Sequence, residues 1–149
     1  MALMDLIDER AVKAPLEALD KEGVIKELSE LLAEHGNVGD ANALISAVWE
    51  REGMGSTGLD DGIAVPHGKS AAVRSLGVAI GIAPQGVDFG AADGKLSKIF
   101  FLMAAPLDHP GPHIETLAEI ARLSHSKALI KALASAKSAE EVLSLLKGD

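Results

Sequence analysis

The chain has 149 residues, 48% of them hydrophobic and 3% aromatic, with a formal net charge of -8 and no cysteine. A chain of this length buries roughly two-thirds of its unfolded surface in one core, so a single domain over residues 1–149 is expected. The acidic balance and scarcity of aromatic rings argue against nucleic acid as a partner, and the lack of Cys excludes disulfides, thiol catalysis and thiolate metal sites.

The uninterrupted apolar runs are about strand length, short of the ~20 residues of a membrane helix. The N-terminus lacks a basic-then-apolar leader, so a cytoplasmic protein without membrane insertion is expected. Val12, Ala14, Leu16 and Ala18 alternate with Lys13, Pro15 and Glu17, which reads as a half-buried first strand that Pro15 confines to an edge or bulge. From Asp20 as N-cap, Val24, Ile25, Leu28, Leu31 and Leu32 form one helical stripe closing at His35-Gly36, where His35 faces the negative end of the helix dipole.

A second helix after Asp40 carries Leu44, Ile45, Val48 and Trp49 inward and ends with Arg51 and Glu52 in its last turn. Gly53, Gly55, Gly58 and Gly62 then break regular structure, so Ser56 to Asp61 reads as a loop before the short apolar run Ile63 to Val65. Leu76 to Ile82 and Lys98 to Ala105 read as interior strands, separated by Pro84-Gln85-Gly86 and a turn over Gly90 to Gly94. Asp108 to Pro112 is broken by Pro and Gly, and Ile114, Leu117, Ala118 and Ala121 then mark a helix. Ser126 caps a helix carrying Leu129, Ile130 and Leu133, and Ser138 with Glu141 forms a capping box for the last one, through Val142, Leu145 and Leu146 to Gly148. This order predicts an α/β (α+β) domain, a mixed β-sheet covered by helices.

The chemistry gathers after the short run Ile63 to Val65. Pro66 fixes its own φ and biases Val65 toward an extended conformation, so His67 follows a stiff strand end, and Gly68 leaves no side chain beside it. A free imidazole has a pKa near ~6.5, so at neutral pH one ring nitrogen offers a lone pair that can attack phosphorus without a separate base. The competing reading is a packing histidine after a buried strand. Arg51 offers a planar fork matching phosphate oxygens, or else is a solvated cation at a helix end. Ser56 and Thr57, in a glycine-rich stretch, are candidate neutral donors to a phosphate.

Gly111-Pro112 reads as N-cap and N1, placing His113 in a first helical turn, where unpaired N–H groups favour a neutral imidazole and a nearby anion. A surface histidine in a helix cap would read the same way. His109 and His113 have the spacing of paired metal ligands, but Pro110 and Pro112 prevent a shared helical face, so no metal site is expected. His125 receives no role.

These residues also carry a resemblance. Arg51-Glu52, Gly55-Ser56-Thr57-Gly58-Leu59 and Gly62-Ile63-Ala64-Val65-Pro66-His67-Gly68 resemble the active-site signature of the enzyme IIA domains of the fructose/mannitol class in the bacterial phosphoenolpyruvate:sugar phosphotransferase system, with their nitrogen-regulatory paralogues. Gly86-Val87-Asp88-Phe89, the strand-like Ile99 to Ala105, and His113 ahead of a helix continue the pattern in order. The resemblance implies a phosphohistidine relay without a cofactor. His67 takes a phosphoryl group from a histidine phosphocarrier protein and passes it to a cysteine of an enzyme IIB, with His113 beside it and Arg51 in the same catalytic group. It also implies, as the alternative, a nitrogen-regulatory protein whose phosphorylation state controls target proteins. The pattern departs at Asp60, where many relatives have glycine, which bears on the loop before Gly62 and on local charge.

Overall fold

A computed structural model describes residues 3–35, 38–108 and 112–148, with the side chains of Pro112 and His113 outside that description. Strand β1 (Ile7–Lys13) is followed by helices α1 (Lys21–His35) and α2 (Ala41–Glu52). The short strands β2 (Ile63–Ala64) and β3 (His67–Lys69) lead into the hairpin of β4 (Gly77–Val87) and β5 (Ser97–Ala105). Helices α3 (Pro112–Leu123), α4 (Lys127–Ala134) and α5 (Ala139–Lys147) complete the chain. The strands form one mixed sheet in the order β1-β4-β5-β2, with β3 also on β5. β4 and β5 are antiparallel and central, whereas β1 on β4, and β2 and β3 on β5, are parallel.

Side-chain alternation along the central strands separates two cores. Ala79 and Ala83 of β4 and Phe100, Leu102 and Ala104 of β5 pack with the buried stripes of α1 (Val24, Ile25, Leu28, Leu32) and α2 (Leu44, Val48). Val78, Ile80, Ile82, Ile99, Phe101 and Met103 face the other way, onto Ile120 of α3, Leu133 of α4 and Val142 of α5. Capping follows the sequence. Asp20 accepts from Gly23 N at 2.7 Å and Asp40 from Asn42 N at 3.0 Å, while Ser126 and Ser138 accept from Leu129 N and Glu141 N.

The structure revises several boundaries and faces. The first strand is Ile7–Lys13 rather than a run through Ala18: it lies at the sheet edge, and the Ala14–Pro15 peptide that follows is cis. Leu16 N still donates to Ile82 O at 2.7 Å, so the predicted alternation marks a segment running beside the sheet beyond the strand. β4 continues through Pro84 and Gln85 to Val87, because its pairing with β5 resumes at Val87–Ser97 after a register irregularity. Trp49 is exposed rather than inward, since Leu44, Val48 and Glu52 at i, i+4 and i+8 take the buried face of α2. In α3 the buried positions are Thr116 and Ile120, whereas Ile114, Ala118 and Ala121 face solvent.

Candidate functional site

Ile63 to Lys69 runs along the outer edge of β5, pairing in parallel at Ile63–Ile99 and Ala64–Phe100 and again at His67–Met103 and Lys69–Ala105. Between the two stretches Pro66 has no N–H to give, but its carbonyl accepts Met103 N at 3.0 Å, so the strand is interrupted without leaving the sheet. His67 therefore stands on a braced backbone. Gly68 beside it has a steric purpose beyond leaving the imidazole uncrowded: a Cβ there would come within 2.8 Å of Val48 N and 3.0 Å of the Ala47 carbonyl carbon. The missing side chain lets the backbone of α2 press against β3, which brings the last turn of α2, with Arg51, to the same cleft as the histidine.

The result is an open cleft of about 530 Å³ lined by Ala47, Glu50, Arg51, Met54, His67, Gly68, Lys69, Leu107 and Ile114. His67 is half-buried, and its Nδ1 lies 2.7 Å from Val65 O. A carbonyl oxygen only accepts, so Nδ1 carries the proton in the neutral ring and the lone pair resides on Nε2. Burial pushes the imidazole pKa below its ordinary value; the Val65 hydrogen bond opposes this, the Arg51 charge adds to it, and the Glu52 charge opposes it more weakly. The net direction favours the neutral form that a nucleophile requires.

Arg51 is partly exposed and donates from Nη1 to Gly55 O at 2.9 Å, a bond that folds the guanidinium back toward the end of its own helix. The structure thus brings Arg51 and His67 together at one cleft. α3 begins at the same rim, because Ile114 lines it. His113 lies in the first turn of that helix, but its side chain, like His109 and the expected N-cap Gly111, lies outside the described residues.

Ser56 and Thr57 are placed differently. The Ser56 hydroxyl donates to Phe89 O and accepts Gly58 N at 3.0 Å, while the buried Thr57 hydroxyl donates to the Glu52 carboxylate. Neither residue lines the cleft. Asp61 lies in the left-handed region at φ 64°, followed by Gly62 at φ 81°, and its N–H donates to Asp93 at 3.1 Å. The turn at the departure point Asp60 is a short 3-10 turn, Asp60–Gly62.

The sequence places Glu52 beside Arg51 without a role of its own, and assigns none to Lys69 or the rim. Glu52 is buried and holds Lys21 Nζ at 2.7 Å, and Lys21 in turn lies 4.9 Å from the centroid of the Phe89 ring. Two signals pointed to it: a carboxylate in the last turn opposes the helix dipole, and Leu44, Val48 and Glu52 share one helical stripe. Lys69 places a second cation in the cleft. Around the mouth, Met54, Leu107 and Ile114 are 76%, 63% and 69% exposed, an apolar rim to a polar floor. Among the described residues no group of acidic or histidine side chains could hold a metal ion, and no helix is long and apolar enough to cross a membrane.

Residues 5–148 match the family model described as phosphoenolpyruvate-dependent sugar phosphotransferase system, EIIA 2. The chain is 31% identical over 146 residues to the fructose-specific EIIABC component of Bacillus subtilis, covering 98% of this chain but 23% of that protein. To the fructose-specific EIIA component of Haloferax volcanii it is 33% identical over 150 residues, covering 96% of this chain and 97% of that one. Among solved structures, the nitrogen regulatory protein IIA-Ntr of Neisseria meningitidis superimposes with a TM-score of 0.86 at 29% identity, covering 97% and 99% of the two chains. The mannitol enzyme IIA of Escherichia coli, solved in complex with phosphorylated mannitol enzyme IIB, gives a TM-score of 0.80 at 28% identity, covering 97% and 100%. The braced histidine, the arginine in its cleft and the match across nearly the whole chain agree: this protein belongs to the EIIA 2 family of the phosphoenolpyruvate-dependent sugar phosphotransferase system.

Proposed function

We propose that the protein is a histidine phosphocarrier in which Nε2 of His67 accepts a phosphoryl group from the phosphohistidine of a small carrier protein and hands it to an enzyme IIB. The observation that carries this reading is the 2.7 Å bond between Nδ1 and Val65 O, which puts the lone pair on Nε2 of an imidazole sharing a cleft with Arg51. As Nε2 forms its bond to phosphorus, the donor's P–N bond breaks and the donor ring leaves with that electron pair. The His67 ring gains positive character, which the Val65 carbonyl stabilises through Nδ1–H. No separate base is needed, because no proton leaves the nucleophile.

Arg51 and Lys69 supply charge where the phosphoryl oxygens arrive, and the planar fork of Arg51 suits two of them at once. His113, on the helix that begins at the rim, is the second imidazole of this reading. Ser56 and Thr57 serve it by fixing the loop after Arg51, since their hydroxyls bond to Phe89 O and Glu52. Met54, Leu107 and Ile114 form a ring of apolar contacts for the protein partners that bring and remove the phosphoryl group. The enzyme IIB in complex with the mannitol relative supports that class of acceptor.

The same site supports a second use, in which phosphorylation of His67 switches the binding of regulatory targets, and the match to the nitrogen regulatory protein favours it. Converting a neutral ring to a phosphorylated one brings nearly two negative charges to an apolar-rimmed cleft, enough to alter a docking surface. Incubation with phosphoenolpyruvate and the general proteins of the phosphotransferase system should give acid-labile phosphate on the wild type and none on His67→Ala. Normal labelling of the variant would sink both readings. Transfer onward to a cysteine of an enzyme IIB, against tight partner binding in only one phosphorylation state, separates the two.

A further inference from the structure

A carboxylate is an unfavourable choice for the position Glu52 holds. Its side chain is 1% exposed, it continues an inward stripe otherwise made of Leu44 and Val48, and it sits at the negative end of α2. Burying an ion pair contributes little net stability compared with an apolar residue of similar size, so packing alone does not explain it. Its hydrogen bonds point elsewhere. Lys21 Nζ binds Oε2 at 2.7 Å, Thr57 N donates to the same carboxylate at 3.2 and 3.4 Å, and the Thr57 hydroxyl donates to Oε1.

From Thr57 the connection continues through the backbone. Thr57 O accepts Val65 N at 3.0 Å, Leu59 N donates to Ile63 O at 2.7 Å, and Gly58 bridges Ala64, so residues 57–59 form an antiparallel strip on the outer edge of β2. The strip has little freedom: a Cβ at Gly58 would lie 3.0 Å from the Ala91 Cα, which fixes how closely it lies against its neighbour. The Val65 peptide is thereby held through its N–H by Thr57, while its carbonyl receives Nδ1–H of His67. Lys21, Glu52, Thr57, Val65 and His67 form one continuous chain of contacts from the start of α1 to the imidazole.

We propose that Glu52 is a positioning residue for His67, acting through Thr57 and the Val65 peptide to keep the proton on Nδ1 and the ring aimed into the cleft. This rests on the phosphocarrier reading of His67. Glu52 touches neither substrate nor the reacting nitrogen; it fixes the carbonyl that selects the tautomer. Every phosphoryl group that enters or leaves through Nε2 depends on that selection, because the opposite tautomer places the proton on the attacking atom.

The test uses Thr57→Val, which keeps side-chain volume and removes the hydroxyl donor, Glu52→Gln, which keeps the shape and removes the charge, and Thr57→Ser, which restores the hydroxyl. Nitrogen NMR of the unphosphorylated proteins reads the His67 tautomer directly, and phosphoryl transfer is followed separately at saturating donor. For Thr57→Val and Glu52→Gln we expect a mixed tautomer and a fall in kcat of about tenfold or more with KM little changed; Thr57→Ser should recover both. If Glu52→Gln fails to fold, the Thr57 pair decides alone. Folded variants that keep the Nδ1–H tautomer and wild-type kcat would overturn the proposal and leave Glu52 a structural residue. Absence of label on His67 in the wild type would instead sink the phosphocarrier reading, whatever the tautomer measurement shows.

Discussion

The two helical layers meet the same sheet on unequal terms. Toward α1 and α2, β4 presents Ala79, Gly81 and Ala83, the short edge strands add Ala64 and Gly68, and β5 contributes the large side chains, Phe100 and Leu102. Toward α3, α4 and α5 the same strands present Val78, Ile80, Ile82, Ile99, Phe101 and Met103. Small residues admit helices close to the sheet, and α1 accordingly buries Val24, Ile25, Leu28, Ser29 and Leu32. On the bulky face, α4 fully buries Leu133 alone and α5 Val142 alone, with most of their remaining apolar side chains half-covered and Ala128 exposed. The lesson concerns function. Arg51 and Glu52, to which the proposed phosphocarrier reading gives charge and positioning roles, belong to the tightly seated layer, while the rim residue Ile114 belongs to the looser one.

The largest effect that could break this contrast is on stability. Leu44→Ala, at a fully buried position of α2, should cost about 2–5 kcal/mol, because the close layer cannot collapse into the space left. Leu129→Ala, at a half-covered position of α4, should cost about 1 kcal/mol. Urea unfolding measures both. Equal losses would show that the small-residue face confers no tighter packing.

Gly68→Ala sharpens the same point at the site. The new Cβ would contact backbone rather than a movable side chain, so α2 must shift, costing about 1–3 kcal/mol and carrying Arg51 off its place. Phosphoryl transfer should slow by about tenfold to a hundredfold. Gly94→Ala is the control: its cost is backbone strain at φ 72°, because nothing lies within 4 Å of the added Cβ. It should lose a comparable fraction of stability, about 1 kcal/mol, with transfer unchanged. A Gly68→Ala protein that transfers at the wild-type rate would remove the link between helix seating and the site.

How far the sequence led follows from the same asymmetry. The α1 stripe and the caps at Asp20, Asp40, Ser126 and Ser138 were legible because each is local, a matter of spacing within one helix. The signature around His67 pointed to the cleft that His67 shares with Arg51. What escaped was set by contacts distant in sequence. Gly68 read as clearance for the imidazole, yet its tightest neighbours are Ala47 and Val48, some twenty residues earlier. Ser56 and Thr57 read as phosphate donors, yet their hydroxyls answer to Phe89 and Glu52. The face of α3 was misjudged because Thr116, polar by type, takes a buried position while the apolar Ile114 lies exposed at the rim of the cleft.

The smallest effect is electrostatic and separates the layers once more. Burial, with a lesser contribution from Arg51, holds the His67 imidazole below its ordinary pKa, so the folded protein takes up this proton less readily than the unfolded chain does. The corresponding stability is fully present above the ordinary histidine pKa of ~6.5 and is lost as pH falls from there toward the folded value, where the unfolded chain is protonated and the native ring is not. A His67→Ala protein should lack that part of the acid slope. In an NMR titration the wild-type ring should be less protonated than a free imidazole at the same pH, and phosphoryl acceptance should hold further into the acid range accordingly. Arg51→Gln should move the midpoint back upward, though only in part, because burial is the larger cause. Leu129→Ala, in the outer layer, should leave it where it was. A midpoint that ignores Arg51 but follows Leu129 would mean that the close layer does not govern the histidine's charge, and that the seating of α2 matters to this site only through shape.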